Sequence, residues 1–395
     1  MYKNKLRDSR KSIFIYSPIY FPDIGGPAVQ AKFLVDLLVE NNFKVTVLKY
    51  SNTSSPESKA KIISLNWHPN PKLIRRIFRW FVGPILSIYY LLKFRPSVVL
   101  INSVFWNGMI MGLICKFFKI PCVLKFTGDW VFESTKSRTN VAVNLEDIYE
   151  SSFVTKVLKF IEKKLISNFT TIWVISKFRY VNVLSLTDKP QIWLQSNFHD
   201  LPKHEVSIKS RFQSPLIFIT CSRVIPHKRI DKIIRVFSKL IGDSRLIIIG
   251  EGSELNSLKE LAIKLKVENK VFFLGKVSEE LVYFLLSHAS AYLSWSAEEG
   301  APNSFIEAMN FGLPIISASV GGIAEMFTAN SIAAKLLHPE KPICLENFLN
   351  QIIASPSLLE EMSIDALKES EKFTKEKNKN NFIKLFSNLI GNSKF

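Results

Sequence analysis

No Asp-x-Asp occurs anywhere in the chain, so the paired carboxylates that commonly grip a divalent ion are missing. Cysteine is nearly as scarce. The four present, at 115, 122, 221 and 344, show neither a C-x-x-C pair nor a metal-ligand spacing, and read as reduced, buried thiols of a cytosolic protein. Long apolar runs are absent: the uncharged stretch from Trp80 to Leu92 falls short of the ~20 residues needed to cross a bilayer. The basic N-terminus, Met1 to Lys11, leads into Ile13-Phe-Ile-Tyr-Ser-Pro18, which Pro and charge end too soon for a secretory signal, so a cytoplasmic location is expected. Acidic residues number 34 against 52 basic ones, a net charge of +18 that points to polyanionic company. Nucleic acid is not expected to be that company, because no recognised nucleic-acid motif occurs and the aromatics are not interleaved with basic residues on a predicted surface sheet.

With 395 residues and 47% apolar composition, the chain exceeds one ordinary core; a prior of roughly 150 residues per domain gives two. Ser12 to Tyr20 reads as a buried strand. The loop Phe21-Pro-Asp-Ile-Gly25-Gly26 then opens a helix at Pro27, with Ala31, Leu34, Val35 and Leu38 on one face, and Phe43 to Leu48 is the next strand. This is a βαβ unit with a diglycine turn, as in a nucleotide-binding fold, but it lacks G-x-G-x-x-G, and glycines in such a turn also serve geometry alone. Ser97 to Asn102, Pro121 to Phe126, Thr170 to Ser176 and Gln191 to Ser196 continue the strands, Phe153 to Leu165 is an amphipathic helix, and 133–152 reads as a loop. Between 72 and 95, Lys72, Arg75, Arg76 and Arg79 form a basic stripe beside crowded aromatics, with Gly83-Pro84 interrupting the pattern. Two expectations stand there: a segment lying on an anionic membrane surface, or a crossover helix packed on the sheet with its arginines solvated.

The second half alternates more regularly. Pro215 to Arg223, Arg245 to Gly250 and Lys270 to Leu274 read as strands, and a helix is marked by Ile230, Ile233, Ile234, Phe237 and Ile241. Helices follow at 255–265 and 279–286. Such alternation implies a parallel, doubly wound sheet that binds ligands at the carboxyl ends of its strands.

Later, an apolar run from Ala291 to Trp295 enters a Gly/Pro-interrupted loop, which feeds a helix starting near Ser304 and ended by Gly312-Leu-Pro314. The backbone N–H groups at that helix start favour an anion such as a phosphate. Two carboxylates, Glu299 and Glu307, flank this place with seven residues between them. Acids repel phosphate, so accepting hydrogen bonds from hydroxyls suits them better. Phosphate and polyol together suggest a nucleotide sugar. The alternatives are a solvated loop carboxylate for Glu299, with Glu298 next door, and for Glu307 a capping box with Ser304.

The stretch Glu299-Gly-Ala-Pro-Asn-Ser-Phe-Ile-Glu307, followed by Gly312, Pro314, Gly321, Gly322 and Glu325, resembles the retaining GT-B glycosyltransferases called family 4, whose signature is Glu, seven residues, Glu. The resemblance covers the C-terminal half well and the N-terminal half loosely. It implies an α/β GT-B fold: two Rossmann-like domains with a cleft between them, residues 1–200 on the acceptor side and 201–377 for the nucleotide sugar. A final helix, about 378–395, is expected to pack back on the first domain. It also implies metal-independent transfer of a sugar, with retention, from a nucleoside diphosphate sugar to an acceptor hydroxyl of a glycan or lipid-linked intermediate, with no cofactor. By position, Arg223 and Lys228 would grip the diphosphate, Glu299 the sugar and Glu307 the ribose diol. Gly300, Ala301, Pro302, Asn303 and Ser304 would line the donor with backbone groups, and Gly25 and Gly26 would lie near the donor phosphate and the acceptor. Where the family commonly carries His-Gly or His-Asp, this chain has Thr127-Gly128-Asp129; either Thr127 and Asp129 take over polar contacts there or the position has no chemical role. Competing readings are an epimerase of the same fold and a non-catalytic membrane or nucleic-acid binder.

Overall fold

A computed structural model describes residues 11–23, 25–50, 58–65, 82–128, 153–201 and 209–391. The chain forms two units. The first runs to Phe198 and resumes at Lys375; the second runs from His199 to Thr374.

In the first unit, seven strands pair in parallel: β1 (Ser12–Ser17), β2 (Lys44–Lys49), β3 (Lys61–Ser64), β4 (Val98–Asn102), β5 (Cys122–Phe126), β6 (Thr171–Val174) and β7 (Gln191–Leu194), in the order β3-β2-β1-β4-β5-β6-β7. The central strands are buried on both faces, which is why their sequences run as continuous Val, Ile and Leu rather than alternating. One face carries Phe14, Tyr16, Val99, Ile101 and Leu124, packed with Leu91, Met109 and Cys115 from the helices Gly83–Phe94 and Trp106–Phe117. The other face is covered by the helix Gly26–Glu40 and by the final helix, Lys375–Gly391, whose Phe382 ring lies 5.1 Å from Trp173, Trp193 and Phe198. Within the described residues the helix Gly83–Phe94 opens on Gly83-Pro84, where proline's missing N–H costs nothing in a first turn. The edge strand β3 is four half-exposed residues and too short to carry a period. The basic stripe Lys72 to Arg79 and the 133–152 loop lie outside the described residues.

The second unit has six parallel strands: β8 (Leu216–Cys221), β9 (Ser244–Ile249), β10 (Val271–Gly275), β11 (Ala291–Ser294), β12 (Ile315–Ala318) and β13 (Ala334–Leu337), in the order β10-β9-β8-β11-β12-β13. The helix Ile230–Phe237 buries Ile230, Ile233, Ile234, Val236 and Phe237 against this sheet. It stops there, leaving Ile241 beyond its end and exposed. Among the described residues no helix is long and apolar enough to cross a membrane. Both sheets reverse their winding direction once, between β1 and β4 in the first unit and between β8 and β11 in the second. At such switch points adjacent loops diverge, leaving a crevice at the strand ends.

Candidate active site at the β8–β11 switch point

β8 ends at Cys221 and passes through Ser222, the exposed Arg223 and the buried Val224 into a single turn, Pro226–Lys228. Two glycines of the neighbouring β9 loop hold this segment. A Cβ at Gly250 would lie 1.9 Å from the Ser222 carbonyl oxygen, and one at Gly252 would lie 2.0 Å from that of Val224. The close approach lets Val224 N–H donate to the Glu251 carbonyl at 2.9 Å and Glu254 N–H to the Val224 carbonyl at 3.1 Å. The Gly250-Glu251-Gly252 turn therefore fixes the loop bearing Arg223.

On the other side of the switch point, β11 leads through the buried Trp295 to Glu299. The Ala297 N–H donates to the His227 carbonyl at 2.7 Å, stitching the two loops together. Across that seam Lys228 Nζ donates to Glu299 Oε1 at 2.5 Å, with both side chains mostly shielded from water. The Glu299 carbonyl is fixed in turn by the Gly322 N–H at 3.0 Å, beneath Gly321 at φ +55°. Of the residues read from the sequence, Lys228 and Glu299 are thus brought into contact, and Arg223 is exposed on the loop that leads to Lys228. Neighbouring Glu298 does not form this pair.

The helix that follows is Asn303–Asn310, with Pro302 as its N-cap and no side-chain cap. The Ser304–Glu307 capping box is therefore not formed: Ser304 lies inside the first turn, and its hydroxyl interacts with Tyr292. Gly300 and Ala301 are buried, while Pro302, Asn303 and Ser304 line the half-exposed helix start. The far end of the helix is held by Arg211, whose guanidinium donates to the Phe311 carbonyl at 2.8 Å and the Ser287 carbonyl at 2.7 Å. Glu307, freed from a capping role, is half-buried; burial first, and the charge of Glu279 second, push its carboxyl up to about 7. Unfolded, the same group ionises in the ordinary carboxylate range. Folding therefore loses stability as pH rises from about 4.5 to about 7, where the unfolded chain gives up a proton that the folded one keeps. The Glu307→Gln variant is expected to melt higher than the parent at pH 8, by on the order of 1–3 kcal/mol, and equally at pH 4. Thermal melts across that range check the sign.

In the first unit, Gly25 caps the helix Gly26–Glu40 at φ +138°, and its carbonyl accepts from Ala28 N–H at 2.9 Å. Asn102, at the end of β4, donates to Ser17 Oγ and to the Pro27 carbonyl, both at 3.0 Å, tying that helix start to the β1–β4 switch point. Thr127 follows β5 with its hydroxyl 3.3 Å from that of Ser103. Asp129 lies outside the described residues. Asn102 and Ser103 went unnoticed in the sequence; the available signal was a polar residue ending an otherwise apolar strand.

Residues 203–369 match the family described as glycosyl transferases group 1. Among curated proteins, the N-acetyl-alpha-D-glucosaminyl L-malate synthase of Bacillus anthracis is 33% identical over 116 residues, covering 29% of this chain and 30% of that protein. An uncharacterized glycosyltransferase of Haemophilus influenzae is 27% identical over 52% of this chain and 55% of its own length. The chain thus aligns with only about a quarter to about half of the length of these curated relatives. Among solved structures, sucrose-phosphate synthase from Thermosynechococcus elongatus superposes with a TM-score of 0.80 at 16% identity, over 96% of this chain and 99% of that one. HepE of Anabaena, solved with UDP-glucose, gives 0.73 at 15% identity over 95% and 99%. Over residues 203–369 the chain is thus similar to the glycosyl transferases group 1, and its two Rossmann-like sheets are those of the GT-B fold.

Proposed function

We propose that the protein transfers a sugar, with retention of anomeric configuration, from a nucleoside diphosphate sugar to an acceptor hydroxyl, without a metal ion. The Lys228–Glu299 contact at the β8–β11 switch point carries this reading. It puts a cation suited to a diphosphate against a carboxylate suited to sugar hydroxyls, at the strand ends where this sheet type binds ligands. Arg223 and Lys228 neutralise the diphosphate as the bond to the anomeric carbon breaks, and the N–H groups at the uncapped start of Asn303–Asn310 add fixed positive dipoles. Glu299 orients the sugar while its anomeric carbon gains oxocarbenium character. Glu307 accepts the ribose hydroxyls, a role that favours its ionised form. The names of several matched relatives contain N-acetylglucosamine, and HepE was solved with UDP-glucose, so UDP-sugars are the first donors to test. Acceptors of a surface polysaccharide or a lipid-linked glycan fit the reading.

The test is a thermal-shift screen against UDP-, GDP- and ADP-sugars, followed by turnover with the stabilising donor in EDTA. We expect one base to raise the melting temperature, transfer to persist in EDTA, and Glu299→Gln to lose about a hundredfold in kcat. Loss of transfer in the chelator overturns metal independence. Undiminished transfer by Glu299→Gln removes its role, and a donor epimerised without any acceptor overturns the transferase reading.

A further inference from the structure

We propose that the outer face of three helices of the first unit, Gly83–Phe94, Trp106–Phe117 and Phe153–Ile166, is a docking surface for an anionic lipid bilayer. Each helix turns large apolar side chains to solvent at helical spacing. These are Ile85, Tyr89 and Leu92 on the first, Leu113 and Phe117 on the second, and Phe153, Val157 and Phe160 on the third. The extremes are Phe117 and Phe153, both 80% exposed. A helix packed on a sheet ordinarily buries one apolar stripe and shows polar residues outside. These helices do bury such a stripe, through Leu91, Met109, Cys115 and Ile166, so the exposed residues form a second apolar face. The covering helix on the opposite side of the sheet behaves ordinarily: Lys375–Gly391 buries Phe382, Phe386 and Leu389. The three helices are neighbours, with Trp106–Phe117 packed between the other two and Lys116 Nζ donating to Asn168 Oδ1 at 3.0 Å just past the end of the third. Scattered exposed apolar residues are normal; aromatic stripes on adjacent helices mark an interaction surface.

The charge on the same helices selects the partner. Their only acid is Glu162, which is fully buried, whereas Lys93, Lys116, Lys156, Lys163 and Lys164 are exposed. On the third helix Lys156 and Lys163 run directly beside the Phe153–Phe160 stripe, and Lys164 Nζ lies 5.5 Å from the Phe160 ring centroid. A second copy docked through a two-fold axis would set this lysine field against itself. A bilayer interface offers hydrocarbon to the rings and anionic headgroups to the ammonium groups at once. With no membrane-crossing helix among the described residues, the contact is interfacial. It gathers more of the fold than the 72–95 stretch considered from the sequence and stands independently of the transfer reaction.

The test is co-flotation of the full chain with phosphatidylcholine vesicles, with and without phosphatidylglycerol, at low and high salt. Binding is expected only to the anionic vesicles, weakened about tenfold or more by salt. The triple variant Phe117→Ser, Phe153→Ser, Phe160→Ser should lose binding with an unchanged melting curve, since none of these side chains is in the core. Should it misfold, Lys156→Glu with Lys163→Glu, which spares the apolar stripe, should also abolish flotation. The proposal is overturned by no flotation on anionic vesicles at low salt, or by flotation that survives both variants. It is equally overturned by a dimer in sedimentation velocity that the triple variant dissolves while vesicles stay unbound.

Discussion

Lys228→Ala is expected to lower donor turnover by about a hundredfold to a thousandfold, the range seen when one preorganised charge or donor is removed from developing anionic charge. Two effects contribute. In the proposed reaction the leaving diphosphate loses one of its cations, and Glu299, only 13% exposed, is left without its ion-pair partner. A shielded carboxylate that loses its cation is drawn toward water, which would disturb the sugar contact proposed for it. Steady-state kinetics on Lys228→Ala, Glu299→Gln and the double variant separate these effects. If the pair acts as one unit, the double variant is scarcely worse than the worse single one. Full additivity would mean that the two residues act independently, and near-parental activity in Lys228→Ala would end its role in catalysis.

Gly321→Ala should have the second-largest effect, although residue 321 touches no ligand in the proposed reaction. A Cβ there would lie 2.0 Å from the Glu299 carbonyl oxygen, far inside contact distance, and the backbone sits at φ +55°. The Glu299 backbone must move, and the N–H of Gly322 that donates to its carbonyl moves with it. A cost of about 1–3 kcal/mol in stability and at least a tenfold loss of turnover are expected. Gly275→Ala is the matched control: it shares a positive φ, +66°, but meets nothing within 4 Å, so it should cost about 1–2 kcal/mol and leave turnover alone. Equal activity in the two variants would show that the close approach at Gly321 does not position Glu299.

Local signals were enough to expose the frame of the molecule. The buried strands announced themselves as short runs of Val, Ile and Leu, and Gly25-Gly26 followed by Pro27 marked a helix start. The same local logic failed where two segments competed for one side chain. Ser304-Phe-Ile-Glu307 has the spacing of a capping box, but Pro302 takes the N-cap and Ser304 turns to Tyr292, a strand residue that no local pattern could name. Lys125 sits in a strand like any other residue of its run. Only the fold puts its ammonium 4.1 Å from the Trp173 ring centroid, and burial there lowers it to about 7.

By itself, then, the sequence determined the alternation of strands and helices, the division into two halves, and the spacing of Glu299 and Glu307, because these depend on neighbours within a few turns of chain. The tertiary structure alone decided that Lys228 meets Glu299 rather than Glu298, that Gly250, Gly252 and Gly321 brace the loops beneath them, and that three helices share an apolar outer face. Each of those facts joins segments far apart in the chain. Such contacts are set by which strands lie side by side at the switch point, and periodicity carries no information about strand order.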